Sequence, residues 1–311
     1  MTPEPIAFIA LVGPTAIGKS DLALRLASRL PLEIVNADSR QIYRYMDIGT
    51  SKPTPNERVL VPHHVYNVVD PDEEFSLADY QRHAHTAMTT IGERGRVPLL
   101  VGGSGQYVWS LVEGWQLPEV PPDRAFRREM EEWTTVHGCA ALHDRLACVD
   151  ADAASHIQAT NVRRVIRALE LHRATGVPPS LLLRRRAGVS RNVLLLGLSI
   201  DKTTLLSRAD ARIDTMVRHG FPDEVRALLG RGYAPTLPAM SSIGYREMVE
   251  YVNGVIDLDT ATSRIRRETR RLVRRQYTWF GLSDERIMWL DARDPNAAAD
   301  AAAQLIEGAT R

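Results

Sequence analysis

Over the first third of the chain, apolar runs of strand length alternate with stretches of helical period. IAFIALV (6–12) leads into Gly13 and then SDLALRLASRL, where Leu22, Leu26 and Leu30 recur at helical spacing. EIVNA (33–37) stops at Asp38, VYNVV (65–69) reads as a further strand stopping at Asp70, and VPLLV (97–101) runs into Gly102-Gly103. Ser76 followed by Asp79 has the form of a capping box and predicts a helix to about Arg94. Continuous apolar strands separated by helices predict a parallel sheet covered on both faces, with ligands gathering at the carboxyl ends of the strands. Gly13, Asp38 and Gly103 all fall at that edge.

The pattern changes at the Pro-rich connector WQLPEVPPD (115–123). Only helical signals follow, to about Thr175: RAFRREMEEWTTV, AALHDRLACV and NVRRVIRALELHRA. Residues 118–190 are therefore expected to form an all-helical insertion in a core made of 1–117 and 191–311. A strand returns at NVLLLGLSI (192–200), followed by helices near 202–219, 222–230 and 259–280, a short RIMWL strand and an Ala-rich final helix.

Composition sets limits on this picture. With 44% hydrophobic and 25% charged residues, the chain has the usage of soluble globular proteins. No apolar stretch approaches the roughly 18 residues that span a bilayer, and MTPEPIAFIALVG lacks the charged segment and cleavage site of an export signal. Cys139 and Cys148 are the only cysteines and form no CxxC pair, which excludes a disulfide framework. A cytoplasmic location, no membrane partner and a monomeric state are expected. The net charge of +1 conceals an asymmetry: residues 1–160 balance at −7 and residues 161–311 at +8. The basic residues are almost all arginine, whose planar fork suits phosphates and bases. They cluster at 161–191, with eight arginines against the single acid Glu170, and at 264–275, with seven against Glu268. Arg163, Arg164 and Arg167 share one helix side, as do Arg267, Arg270, Arg271 and Arg274, so each set is able to follow a phosphate backbone or to form a solvated face.

The sharpest motif is Gly13-Pro14-Thr15-Ala16-Ile17-Gly18-Lys19-Ser20, which fits G-x-x-x-x-G-K-[ST]. It follows an apolar strand, opens a helix and holds one of only three lysines. Backbone N–H groups at such a helix start bind phosphate oxygens, Lys19 adds a charge, and the Ser20 hydroxyl is placed to ligate Mg2+. The predicted fold class is thus α/β, a P-loop NTPase-like parallel sheet flanked by helices with an all-helical insertion domain. The loop alone leaves the reaction open among a kinase, an ATPase and a transferase that expels diphosphate.

GPTAIGKS (13–20), DSRQIYRYMDIGTSKP (38–53), VGGSGQY (101–107) and SSIGYRE (241–247), with RRQYTWF (274–280), stand in the order of the motifs of the tRNA dimethylallyltransferase (tRNA isopentenyltransferase) family, which the chain resembles over essentially its full length. The resemblance implies transfer of a dimethylallyl group from dimethylallyl diphosphate to the exocyclic amine of the adenosine 3′ of the anticodon, in tRNAs reading codons that begin with U. It implies diphosphate binding by residues 13–20 with Mg2+, and by Arg212 from the opposite side, unless Arg212 pairs with Asp210 or Asp214. Thr15 joins the diphosphate contacts or merely shapes the loop. Asp38 would accept the amine proton, or else cap the turn that follows it. Asp38, Ser39, Arg40, Gln41, Ser104, Arg127 or Arg128, the NVRRVIR segment and the run Ser241, Ser242, Ile243, Gly244, Tyr245 and Arg246 would face the tRNA anticodon stem-loop. The Gln41 amide suits an adenine edge. Gly105 and Gln106 depart from the bulkier apolar residues frequent in the family. An enzyme acting on free adenine nucleotides, a small-molecule kinase and a GTPase-like switch remain as alternatives, the last lacking an N-K-x-D element.

Overall fold

The computed structural model describes residues 6–118, 120–182 and 192–310. Six strands, β1 Phe8–Val12, β2 Leu32–Asn36, β3 His63–His64, β4 Val97–Gly102, β5 Val193–Ser199 and β6 Met288–Asp291, form one sheet in the order β3-β2-β4-β1-β5-β6. Every neighbouring pair is parallel. All five positions of β1 and of β2 are buried, which is why they read as runs rather than alternations. Even Glu33 within β2 is buried, its carboxylate held by His64 at 2.7 Å and Arg94 at 2.6 Å.

The sheet belongs to a unit made of Met1–Val112 and Ser190–Arg311. Its helices are α1 Lys19–Ala27, α2 Pro55–Leu60, α3 Leu77–Glu93 and α4 Gly105–Val112 before the insertion. The second unit, Glu113–Val189, contains α5 Arg124–Val149, α6 Ala151–His156, α7 Val162–Thr175 and α8 Pro179–Leu182. The chain then adds α9 Lys202–Arg218, α10 Phe221–Gly230, α11 Tyr245–Val252, α12 Leu258–Trp279 and α13 Pro295–Thr310 to the first unit. The boundary expected at 118 falls inside the second unit, and the one at 190 lies outside the described residues, as do Arg184, Arg185, Arg186 and Arg191 of the first arginine cluster.

Each unit has its own core. Ile9, Leu11, Ile17, Leu26, Ile34, Leu99, Leu196 and Leu198 pack in the first, and Phe126, Met130, Leu142, Leu146, Val165 and Ile166 in the second. Burying one such side chain contributes about 1.5–3 kcal/mol before entropy is counted. Among the described residues no helix is long and apolar enough to cross a membrane.

The expected strand at 65–69 is corrected. Val65 (φ 64°) and Asn67 (φ 53°) adopt left-handed backbone, which ends β3 at His64, and only an isolated bridge from Tyr43 to Val69 remains. Helix α4 carries no amphipathic signal, because every residue of it but Gln106 is buried and no polar face marks it. Helix α11 starts after Gly244, whose N–H donates to the Glu247 carboxylate at 2.8 Å. The Ser76–Asp79 capping box closes as predicted.

Candidate active site

The phosphate loop begins where β1 runs out. Gly13 (φ 144°) and Gly18 (φ 109°) take backbone closed to most side chains, and a Cβ on Gly13 would stand 3.1 Å from the Leu198 carbonyl oxygen. Ala16 lies at φ 63°, a strained value for a residue with a Cβ. Gly18 offers no side-chain cap to α1, so the helix's first N–H groups stay open for an anion. Lys19 Nζ arches back to the carbonyls of Gly13 at 2.9 Å and Pro14 at 2.7 Å. Burial and then the Arg212 cation lower its pKa to about 7, with Asp38 pulling the other way.

The loop is held from the far end of the sequence. The Thr15 N–H donates to Oε1 of Gln276 at 2.8 Å, and Nε2 of the same buried side chain donates to the Gly103 carbonyl at 3.1 Å. A Cβ on Gly103 would lie 2.2 Å from that Nε2, so the second glycine of VGG is the space in which Gln276 sits. Gly105 plays the same part for Trp279, whose ring a Cβ would meet at 2.2 Å. The departure from bulkier family residues at 105 therefore matches an indole packed against the backbone.

Asp38 follows the buried Asn36, whose side chain accepts from the Asp38 N–H at 2.8 Å and donates to the Asp38 and Val65 carbonyls, both at 3.0 Å. One Asp38 carboxylate oxygen accepts from the Arg40 N–H at 2.9 Å, so Asp38 does cap its own turn. Its charge also reaches Lys19 and Arg212. Ser104 Oγ accepts from the Ser39 N–H at 2.9 Å and joins the two strand ends.

Arg212 does not pair with Asp210 or Asp214. Those carboxylates take Arg270, at 2.8 Å, and Arg266, while Arg212 Nε donates to Ser51 Oγ at 2.7 Å. Burial lowers the Arg212 pKa and Asp38 opposes the shift. A cavity of about 90 Å3 opens beside it, with Thr15, Ala16, Ile213, Met216, Phe221, Ile243, Gly244, Ile265 and Leu272 among its walls. The walls are mainly apolar, and Thr15 and Arg212 supply the polar edge.

Other expected RNA contacts are placed differently from one another. Tyr245 is fully buried and Ser242 nearly so, while Ile243 and Gly244 line the cavity, so of this run Ser241 and the exposed Arg246 are the polar groups nearer solvent. Gln41 Nε2 donates to the Thr50 and Ser51 carbonyls, at 2.9 and 3.0 Å. In the helical unit, Arg127 and Arg167 clamp the buried Glu170, whereas Arg128, Arg163 and Arg164 are exposed. Along α12, Ser263, Arg266, Arg267, Arg270, Arg271 and Arg274 line an open groove of about 480 Å3.

A strand, a glycine loop and a lysine at the head of a helix, with an aspartate at the next strand end, define a P-loop α/β protein that has an apolar cavity beside its anion loop. Its sequence matches the IPP transferase family over residues 41–283 and the isopentenyl transferase family over residues 6–66. The tRNA dimethylallyltransferase of Chloroflexus aggregans is 50% identical over 272 residues, 88% of this chain and 92% of the relative, and that of Desulforudis audaxviator is 42% identical over 97% of both. The crystal structure of a Bacillus halodurans tRNA isopentenylpyrophosphate transferase superposes with a TM-score of 0.72 at 38% identity, covering 97% of this chain and 96% of that one. A eukaryotic dimethylallyltransferase acting on tRNA gives 0.79 at 27% identity, over 95% of this chain and 77% of that chain. The chain belongs to the IPP transferase family.

Proposed function

We propose that this protein transfers the dimethylallyl group of dimethylallyl diphosphate to the exocyclic N6 amine of the adenosine 3′ of the anticodon, in tRNAs reading codons that begin with U, releasing diphosphate. The carrying observation is the glycine loop with Lys19 at the head of α1, beside a mainly apolar cavity on which Thr15 of that loop and Arg212 open. Two cations with open helix N–H groups suit a departing diphosphate, whose charge grows as the allylic C–O bond breaks. The mainly apolar cavity suits a small hydrocarbon group.

In the reaction the adenine amine nitrogen forms a bond to the allylic C1 as the C1–O bond breaks, and its electron pair leaves with the diphosphate. Asp38 takes the proton that the amine must lose. Thr15, Lys19 and Arg212 hold the departing oxygens. The target base has to leave its stack for its amine to meet both carboxylate and C1. Ser20 is exposed at the head of α1, and its hydroxyl would be the protein's ligand to a Mg2+ ion there. Bound there, the ion would neutralise diphosphate charge. Arg128, Arg163 and Arg164 on the helical unit and Arg270 and Arg274 on α12 are the arginines offered to the RNA backbone.

Incubation of tRNA with dimethylallyl diphosphate and protein, then nuclease digestion and mass detection, is expected to yield a dimethylallyl-modified adenosine. Modification of free AMP in preference to tRNA would refute the reading.

A further inference from the structure

Three consecutive backbone N–H groups, those of Asp47, Ile48 and Gly49, point at a single carboxylate. Glu224 Oε2 accepts from Asp47 at 2.8 Å and Ile48 at 2.6 Å, and Oε1 accepts from Gly49 at 3.1 Å and from the buried Tyr245 hydroxyl at 2.6 Å. Successive N–H groups of this kind form an anion-binding concavity, here filled by a side chain from the first turn of α10. The approach is close. A Cβ on Gly49 would lie 2.2 Å from Phe221 and 2.7 Å from Tyr245, so the segment seats against α10 only because that residue is glycine.

The seated segment reaches both sides of the reaction centre. Its Thr50 and Ser51 carbonyls take the Gln41 amide, and the Gln41 N–H in turn closes onto the Asp38 carbonyl at 3.3 Å. The Ser51 hydroxyl takes Arg212 Nε. Lys52 pins the same stretch through Asp47, at 2.9 Å, and Asn67, at 2.7 Å. One short run of backbone therefore joins the turn that carries the proton acceptor to the guanidinium assigned to the leaving group.

We infer that Glu224 is a positioning residue for the transfer reaction: by seating residues 47–49 it sets Ser51 against Arg212 and so fixes the distance between the leaving-group clamp and the Asp38 turn. This rests on the roles proposed above for Arg212 and Asp38. Three backbone N–H groups, which can only donate, and the Tyr245 hydroxyl surround the carboxylate, and each carboxylate oxygen faces at least one of those N–H groups, so a neutral carboxamide of equal size must aim its own N–H2 at a backbone donor. Glu224→Gln therefore unseats the segment without opening a cavity.

The test compares the parent, Glu224→Gln, Glu224→Asp and Ser51→Ala in single-turnover transfer to tRNA, with active sites titrated and tRNA binding measured separately. Expected for Glu224→Gln is a rate constant per active site lower by about 10–100-fold, the cost of misplacing reacting groups by the order of an ångström. Donor affinity falls with it, tRNA affinity stays within twofold, and Glu224→Asp recovers part of the rate. In the Ser51→Ala background the Glu224→Gln loss shrinks, since the shared route is already cut. A Glu224→Gln rate within twofold of the parent, a loss explained wholly by fewer active sites, an Asp variant no better than Gln, or full additivity with Ser51→Ala overturns the inference. A parent protein that makes no modified adenosine overturns the functional reading as well, and the two failures are thus told apart.

Discussion

The Thr15 N–H donates to the side-chain carbonyl of Gln276 across 261 residues of sequence, at 2.8 Å. A backbone group of the phosphate loop is thereby satisfied by α12 rather than left for a ligand, and the loop's shape is fixed before any anion arrives. The same amide reaches Gly103, so one side chain sets the spacing of two strand ends. Gln276→Leu should leave the Thr15 N–H and the Gly103 carbonyl without partners, at about 1–3 kcal/mol each when buried. Urea unfolding is expected to report a loss of about 2–6 kcal/mol together with weaker diphosphate binding.

Lys19 is expected to make donor binding depend on pH. Its pKa in the free protein is about 7, lowered by burial and Arg212, and a bound diphosphate raises it because an anion favours the ammonium form. Binding above pH 7 therefore takes up a proton. Donor affinity should be flat well below pH 7, bend near it and fall by up to about tenfold per unit above it, until the bound-state value is passed. Lys19→Ala should lose that slope and weaken binding and turnover together. Calorimetry in buffers of different ionisation enthalpy counts the proton directly.

Asp38→Asn separates chemistry from binding. The asparagine keeps the size and can still accept from the Arg40 N–H, so the turn should survive. Its basicity is negligible near neutral pH. The single-turnover rate is expected to drop by about 10²–10⁴, with donor and tRNA affinities within a few-fold of the parent. Retained rate with lost tRNA affinity would reassign Asp38 to recognition.

Arginines that look alike in the sequence should behave differently. Neutralising about six phosphates gives a log–log salt slope of roughly −4 to −5, and Arg274→Ala, removing a groove-lining side chain, should make it shallower by about 1. Asp210→Ala should tighten RNA binding, because it releases Arg270. Filter binding at several salt concentrations reads both.

Arg127→Ala belongs to stability instead. It removes the bidentate partner of Glu170, which is 3% exposed in its side chain, and leaves Arg167 and the Asp123 N–H to hold that charge. Loss of about 1–3 kcal/mol in the helical unit is expected, with the salt slope nearly unchanged. Thermal unfolding followed by Trp fluorescence is the check.

The sheet was legible because β1, β2 and β4 are buried along nearly their whole length and β5 through its middle, so apolar residues dominate each of them. The phosphate loop was legible because its glycines and lysine are fixed by chemistry. Residues 65–69 misled because a Val- and Tyr-rich stretch has strand propensity, whereas the fold bends it through two left-handed residues to meet Asn36 and Lys52. Glu224 and Asn36 carry no signal in the sequence for a shared reason: their partners are mostly backbone groups, and a backbone N–H or carbonyl leaves no letter there. For Gln276 the RRQYTWF motif did mark the place, but not the purpose.

Strand β1 lies between β4 and β5, and the strand on one side is separated from it by the entire helical unit. A chain leaving the ribosome thus carries its phosphate loop early, yet that loop has no second flanking strand until residue 199 emerges and no Gln276 until 261 residues after Thr15 have been made. Chain fragments released early would hold the anion-binding letters without the anion-binding shape. Premature termination should therefore yield inert polypeptide, and the enzyme's appearance in a translation time course should come as a late step rather than a gradual rise.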